Sequence, residues 1–186
     1  IMGVLIILRI CLYGSGTNKI NKEYKDKGYL LGEEIAKRGH TLVFGAGDDG
    51  MMGAVSHGVK DNNQEIIGIA PDWMEDFEGM NNNCTCKVLT NSMQERKKLF
   101  FEDSDAFIIV PGGLGTLDEF FEILTLKKLK KHDKPIIIYN INNYYNTLFE
   151  MLDFMVSEGC IDKENLNLYQ VSTSVKETLD LIEKTI

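Results

Sequence analysis

The run AFIIVPGGLGTLDEF, residues 106–120, changes character twice. Residues 106–110 are an unbroken apolar stretch, Pro111 to Thr116 form a glycine-rich loop, and beyond Thr116 the apolar positions fall at helical spacing. A strand with no alternating polar positions is buried on both faces, as in a parallel sheet covered by helices. The same order recurs along the chain. Strands are predicted at 4–13, 41–44, 65–70, 106–110 and 135–139, and helices near 21–38, 51–60, 92–103, 116–132, 144–158 and from Val175 onward. This alternation predicts an α/β fold: one Rossmann-like, doubly wound parallel sheet flanked by helices, occupying residues 1–186 as a single domain. Residues 72–85 form the one long irregular stretch, of a length that is more often functional than idle.

Composition narrows the partners. The net charge of -8 argues against a nucleic acid polymer, whose binding depends on clustered Lys and Arg. The apolar run VLIILRICLY is too short to span a bilayer, carries Arg9 and has no small-residue cleavage site, so a buried strand is expected and no membrane. Cys11, Cys84, Cys86 and Cys160 contain no C-x-x-C pair and the three histidines are dispersed, so no metal site is expected. Scattered cysteines without a secretory leader pattern fit reduced thiols in a cytoplasmic protein.

Three predicted strand ends carry glycine: YGSGTN (13–18), FGAGDDGMMG (44–53) and PGGLGT (111–116). Each precedes a helix, where bare backbone N–H groups and the helix dipole favour an anion. Each alone is more often a tight turn; three at one sheet edge suggest a phosphate-bearing ligand. None is a P-loop, and GSGTN lacks the third glycine of the dinucleotide fingerprint. Arg96, Lys97 and Lys98 lie early in a helix, where cations oppose the dipole, and read either as a solvated basic face or as an anion clamp with Arg96 at its centre. The run LKKLKKHDK (126–134) ends its helix and reads as structural, and the methionines read as packing. Thr116-Leu117-Asp118-Glu119 has the form of a T-x-x-E capping box, with Thr116 as N-cap and the Glu119 carboxylate reaching back.

PGGLGTLDE and MQERK resemble the P-G-G-x-G-T-x-x-E and M-H-x-R-K motifs of the Lonely Guy (LOG) family, long labelled lysine decarboxylase-like. The likeness extends to GSGTN, FGAGDDGMMGAV and KPIIIYNINNYYNTLFEML. It implies a cytokinin riboside 5'-monophosphate phosphoribohydrolase, which cleaves the N-glycosidic bond of a nucleoside monophosphate without a cofactor. Arg96 and Glu119 match the family's catalytic pair. Ser15, Gly45, Gly47, Lys97, Gly112, Gly113, Leu114, Gly115, Thr116 and Asp118 match positions that hold the substrate, and Glu78 and Thr125 match further contacts. Gln94 stands where the family has histidine and Ala46 where it has the middle glycine of the second loop. The resemblance further implies a homodimer. The rival expectation is a non-catalytic nucleotide-binding or carrier protein on the same scaffold; a scaffold protein whose loops are merely turns is a third.

Overall fold

Seven parallel strands run in the order β4-β3-β2-β1-β5-β6-β7 in a computed structural model that describes residues 6–74 and 81–186. They are β1 (Arg9–Tyr13), β2 (Thr41–Phe44), β3 (Ile66–Pro71), β4 (Cys86–Thr90), β5 (Ala106–Ile109), β6 (Ile136–Tyr139) and β7 (Gln170–Ser172). Among the described residues the α-helices are α1 (Lys22–Lys37), α2 (Gly50–Asp61), α3 (Met93–Glu102), α4 (Leu114–Lys128), α5 (Asn146–Ser157) and α6 (Val175–Thr185).

Every residue of β2, β3, β5 and β6 is buried, which accounts for their unbroken apolar sequences. One core layer joins Leu31 and Ile35 of α1, Val55 and Val59 of α2, and Leu179 and Ile182 of α6 to one sheet face. The other joins Phe100 of α3, Phe120 and Ile123 of α4, and Tyr145 to the opposite face. The doubly wound prediction therefore holds.

Two strands escape the sequence pattern. β4 and β7 are the edges, with exposed positions in CKVLT and QVS, so neither displays a continuous apolar run. The first strand is shorter than predicted: it starts at Arg9, and Ile6 and Ile7 are exposed. Among the described residues no helix is long and apolar enough to cross a membrane.

Topology places the ligand crevice. The chain winds outward from β1 through β2 and β3 to β4, then returns to lay β5 on the other side of β1. Strand order reverses between β1 and β5, and in open α/β sheets ligands bind beyond the strand carboxyl ends at that point.

Candidate active site

The loops after β1 and β5 meet at this switch point. The Ser15 amide donates to the Pro111 carbonyl at 3.1 Å, tying one loop to the other. The second loop is braced from α5's approach, where Tyr144 Oη donates to the Gly112 carbonyl and Tyr145 Oη to the Val110 carbonyl, each at 2.8 Å. Above them opens a cleft of about 400 Å³, lined by Ser15, Thr17, Gly113, Gly115, Thr116, Asp118 and Glu119, with Arg96 and Met52, Met74 and Met93 across it.

Helix α4 starts at Leu114 with Gly113 as its N-cap, and no side chain caps it. Thr116 is thus inside the first turn and Glu119 in the second, so the predicted T-x-x-E capping box does not form. The reason is local: a glycine N-cap lets the helix begin inside the PGG loop, before Thr116 is reached. Helix α4 therefore offers its first-turn amides to the cleft without a competing carboxylate, in the arrangement that suits an anion. A capping pair does exist on α3, where Ser92 Oγ accepts from the Glu95 amide at 3.2 Å and Glu95 Oε2 accepts from the Asn91 amide at 2.7 Å. It fixes the helix start immediately before Arg96.

The three glycine loops differ in use. At the start of α2 the Met51 and Met52 amides both donate to the Ser15 carbonyl, at 2.8 and 3.2 Å, so that helix end is occupied by protein. Gly45 and Gly47 do not line the cleft. A Cβ on Gly45 would lie 1.9 Å from Arg96 Nη2, so Gly45 makes room for the arginine. At Gly113 and Gly115 a Cβ would have nothing within 4 Å, and neither residue has positive φ. Neither glycine is needed to avoid a neighbour, and without side chains both leave the backbone at the start of α4 open to the cleft. Ala46, the departure from the family loop, has φ of 62°, a left-handed conformation that costs a non-glycine residue about 1 kcal/mol.

Arg96 is 6% exposed, so the solvated-face alternative does not apply to it. Its Nε donates to the carbonyl of Ile69, within β3, at 3.1 Å and Nη2 to that of Gly45, just past β2, at 3.4 Å. Among the described residues, Nη1 meets the Met74 and Met93 sulfurs, each at 3.7 Å, and the guanidinium lies 5.1 Å from the Phe100 ring centre. Among the described residues no carboxylate forms an ion pair with it. Glu119 is part-buried at the same cleft, and burial pushes its pKa up to about 7 against the opposing pull of Arg96. A cation with no carboxylate partner among the described residues and a carboxyl group whose pKa is pushed up to about 7 thus line the same cleft.

Lys97 takes a different part. It pairs with Asp118 at 3.2 Å and with Glu122, which with Asp118 hold its pKa above the ordinary lysine range, linking α3 to α4; Asp118 lines the cleft and Lys97 does not. Leu114 is 89% exposed and absent from the lining. Gly112 is buried, where a Cβ would meet Thr116 Oγ1 at 2.1 Å. Thr125 lies on a separate apolar groove of about 430 Å³ between α4, α5 and the segment 161–169. Glu78 lies outside the described residues. Sequence reasoning missed Thr17 and the lining role of Met52, Met74 and Met93; methionine carries no motif that separates lining from packing.

The chain matches the sequence model of a family described as "Possible lysine decarboxylase" over residues 52–182. It is 34% identical over 176 residues to the cytokinin riboside 5'-monophosphate phosphoribohydrolase LOG3 of Arabidopsis thaliana, covering 95% of this chain and 82% of that protein. To the enzyme of that activity named LOG in Oryza sativa subsp. japonica it is 33% identical, covering 96% and 74%. In fold it is similar to the molybdenum cofactor binding protein of Rippkaea orientalis, with a TM-score of 0.74 at 22% identity over 97% of this chain and 98% of that one. With the likeness to the molybdenum cofactor binding protein confined to the fold and the sequence likeness running nearly end to end, the chain belongs to the LOG family, the one whose sequence model is described as possible lysine decarboxylase.

Proposed function

We propose that the protein hydrolyses the N-glycosidic bond of a purine nucleoside 5'-monophosphate of the cytokinin type, releasing free base and ribose 5-phosphate. The observation that carries this reading is the meeting of Arg96 and Glu119 on one cleft beside the open N-terminus of α4. The 5'-phosphate lies against the α4 amides, Gly113, Gly115, Thr116 and Ser15, where the helix dipole offsets its charge. As the C1'–N bond breaks, its electron pair goes to the base and positive charge develops on the sugar, which the Glu119 carboxylate stabilises. Water then adds to C1' and gives up a proton to the Glu119 carboxylate, and that proton passes on to the departing base, so the base leaves neutral and the carboxylate is restored. Arg96 stabilises the negative charge gathering on the departing base. Phosphate binding remote from the reacting bond supplies orientation, so the monophosphate is favoured over the nucleoside. Lys97 and Asp118 act by holding α3 against α4, and none of these steps calls on a metal or an organic cofactor.

The test is incubation with AMP and with N6-isopentenyl AMP, followed by chromatography of the free base. Base release from either supports the hydrolase; nucleotide binding without release from both gives the protein to the carrier reading.

The glycines offer an independent check. Gly115→Ala adds a methyl where the free protein has space and replaces a helical glycine, so the melting temperature is expected to hold or rise, by up to about 1 kcal/mol of stability. AMP affinity is expected to fall about tenfold or more as that methyl enters the phosphate's place. Unchanged affinity in calorimetric titration would remove Gly115 from the cradle.

We further propose a homodimer that buries the groove between α4 and α5 together with Met151 and Phe154 of α5, which are 51% and 60% exposed. Thr125 belongs to that face, so a substrate contact by Thr125 requires the second copy. A sedimentation mass of one chain at assay concentrations contradicts the dimer. A cytoplasmic setting accords with the four cysteines, all of them free; recovery from an oxidising compartment with those thiols paired would contradict it.

A further inference from the structure

Four consecutive carbonyls of the loop after β5 already have donors. The Val110 oxygen accepts from Tyr145 Oη, that of Pro111 from the Ser15 amide, that of Gly112 from Tyr144 Oη and that of Gly113 from the Leu117 amide. The amides of residues 113–116 meet no acceptor among the described residues. The loop is therefore polarised: its oxygens are held by the protein, and its N–H groups are left to the cleft that Gly113, Gly115 and Thr116 line.

That polarity is least secure at one peptide. The carbonyl and N–H of a trans peptide point opposite ways, so whatever holds the Gly112 oxygen also aims the Gly113 N–H. Glycine stands on both sides of this peptide, and no Cβ resists its reversal. Reversed, it would turn an oxygen toward the cleft in place of a donor. Only Tyr144 stands against that. The other three carbonyls are held by backbone amides or by Tyr145, which is 3% exposed, whereas Tyr144 is 42% exposed and spends its hydroxyl on Gly112 at 2.8 Å. Its ring is steadied edge-on by Tyr24 and Tyr145, at centroid distances of 5.7 and 4.8 Å. Just before it Asn142 and Asn143, with φ of 52° and 60°, turn the chain back after β6.

Resting on the reading of this loop as the phosphate cradle, we propose that Tyr144 is a positioning residue for the reaction. Its hydroxyl locks the Gly112–Gly113 peptide with the Gly113 N–H toward the 5'-phosphate, adding one donor to the first-turn amides of α4. The phenol touches no reacting atom and acts through the loop alone.

Tyr144→Phe keeps the ring and removes the hydroxyl. Ribose 5-phosphate is the probe, since it carries the phosphate and has no base to lose. In calorimetric titration the variant is expected to bind it about five- to tenfold more weakly than the wild type, the effect of one hydrogen bond. Amide NMR separates a lost lock from a loosened loop. Saturating ribose 5-phosphate is expected to move the Gly113, Gly115 and Thr116 amide signals downfield in the wild type, and in Tyr144→Phe to leave the response of Gly113 alone diminished. Unchanged affinity, equal loss of response at all three amides, or no binding of ribose 5-phosphate to the wild type overturns the lock. Base release from AMP with no effect of Tyr144→Phe removes the lock and leaves the hydrolase. Ribose 5-phosphate binding that depends on Tyr144, in a protein that releases no base, does the reverse.

Discussion

Glu119→Gln is expected to cut base release from AMP by about 1,000-fold while strengthening the fold at alkaline pH. Both effects come from one fact: the carboxyl group is held in surroundings that disfavour its charge, and its pKa stands at about 7 against an ordinary 4.5. Between those two values the folded protein binds more protons at Glu119 than the unfolded chain does, so stability falls as pH rises through that window and the full cost is present above pH 7. A glutamine cannot ionise. At pH 8 the variant is expected to be more stable than the wild type by on the order of 1 to 3 kcal/mol, with the difference vanishing near pH 4. Denaturant melts at the two pH values measure this directly. The same titration sets the rate profile. If the carboxylate is the working form, kcat/KM of the wild type climbs as pH rises to about 7 and then levels. A profile that falls through neutrality would make Glu119 a proton donor, and wild-type turnover by the glutamine variant would leave it no chemical role.

That gain in stability would also separate two readings of the sequence T-L-D-E. A capping glutamate supports its helix, and its loss weakens the fold; Glu119 sits one turn too far in and is expected to do the reverse. Residue spacing could not tell these apart, because it hinges on whether α4 begins at Leu114 or Thr116, and glycine as an N-cap carries no polar signature. The central strands were legible for the opposite reason: double burial writes itself as an unbroken apolar run. Edge strands β4 and β7 face solvent on part of their length and lost that signal. Within the site, the motif residues that touch the cleft through backbone or through a charged side chain could be named from sequence. What could not be read is which glycine serves the ligand and which serves the protein. Gly113 and Gly115 stand clear of any neighbour, whereas Gly45 is pressed against Arg96, a contact of sequence-distant elements that only the assembled sheet brings about.

Gly45→Ala is the second large effect expected, and it acts without touching the cleft. The new methyl would stand 1.9 Å from Arg96 Nη2 and 3.1 Å from its Cζ, distances that the neighbour must relieve by moving. The guanidinium is the part able to yield, since the Gly45 backbone continues directly from β2 in the sheet. Its displacement breaks the 3.4 Å bond to the Gly45 carbonyl and swings Nη1 away from the methionines. A shift of about 1 Å in a catalytic group costs on the order of 100-fold in rate, so kcat/KM for AMP is expected to fall by about that factor. General loosening of the fold would lower activity too, and a double-mutant cycle distinguishes the causes. If Gly45 matters only through Arg96, then Gly45→Ala combined with Arg96→Ala loses no more activity than Arg96→Ala alone, a complete failure of additivity. Additive losses would mean that the glycine serves the site by some other route. Positioning of this kind gives the second glycine loop a use even though α2's first amides are closed by Ser15: Gly45 makes the room in which the arginine sits.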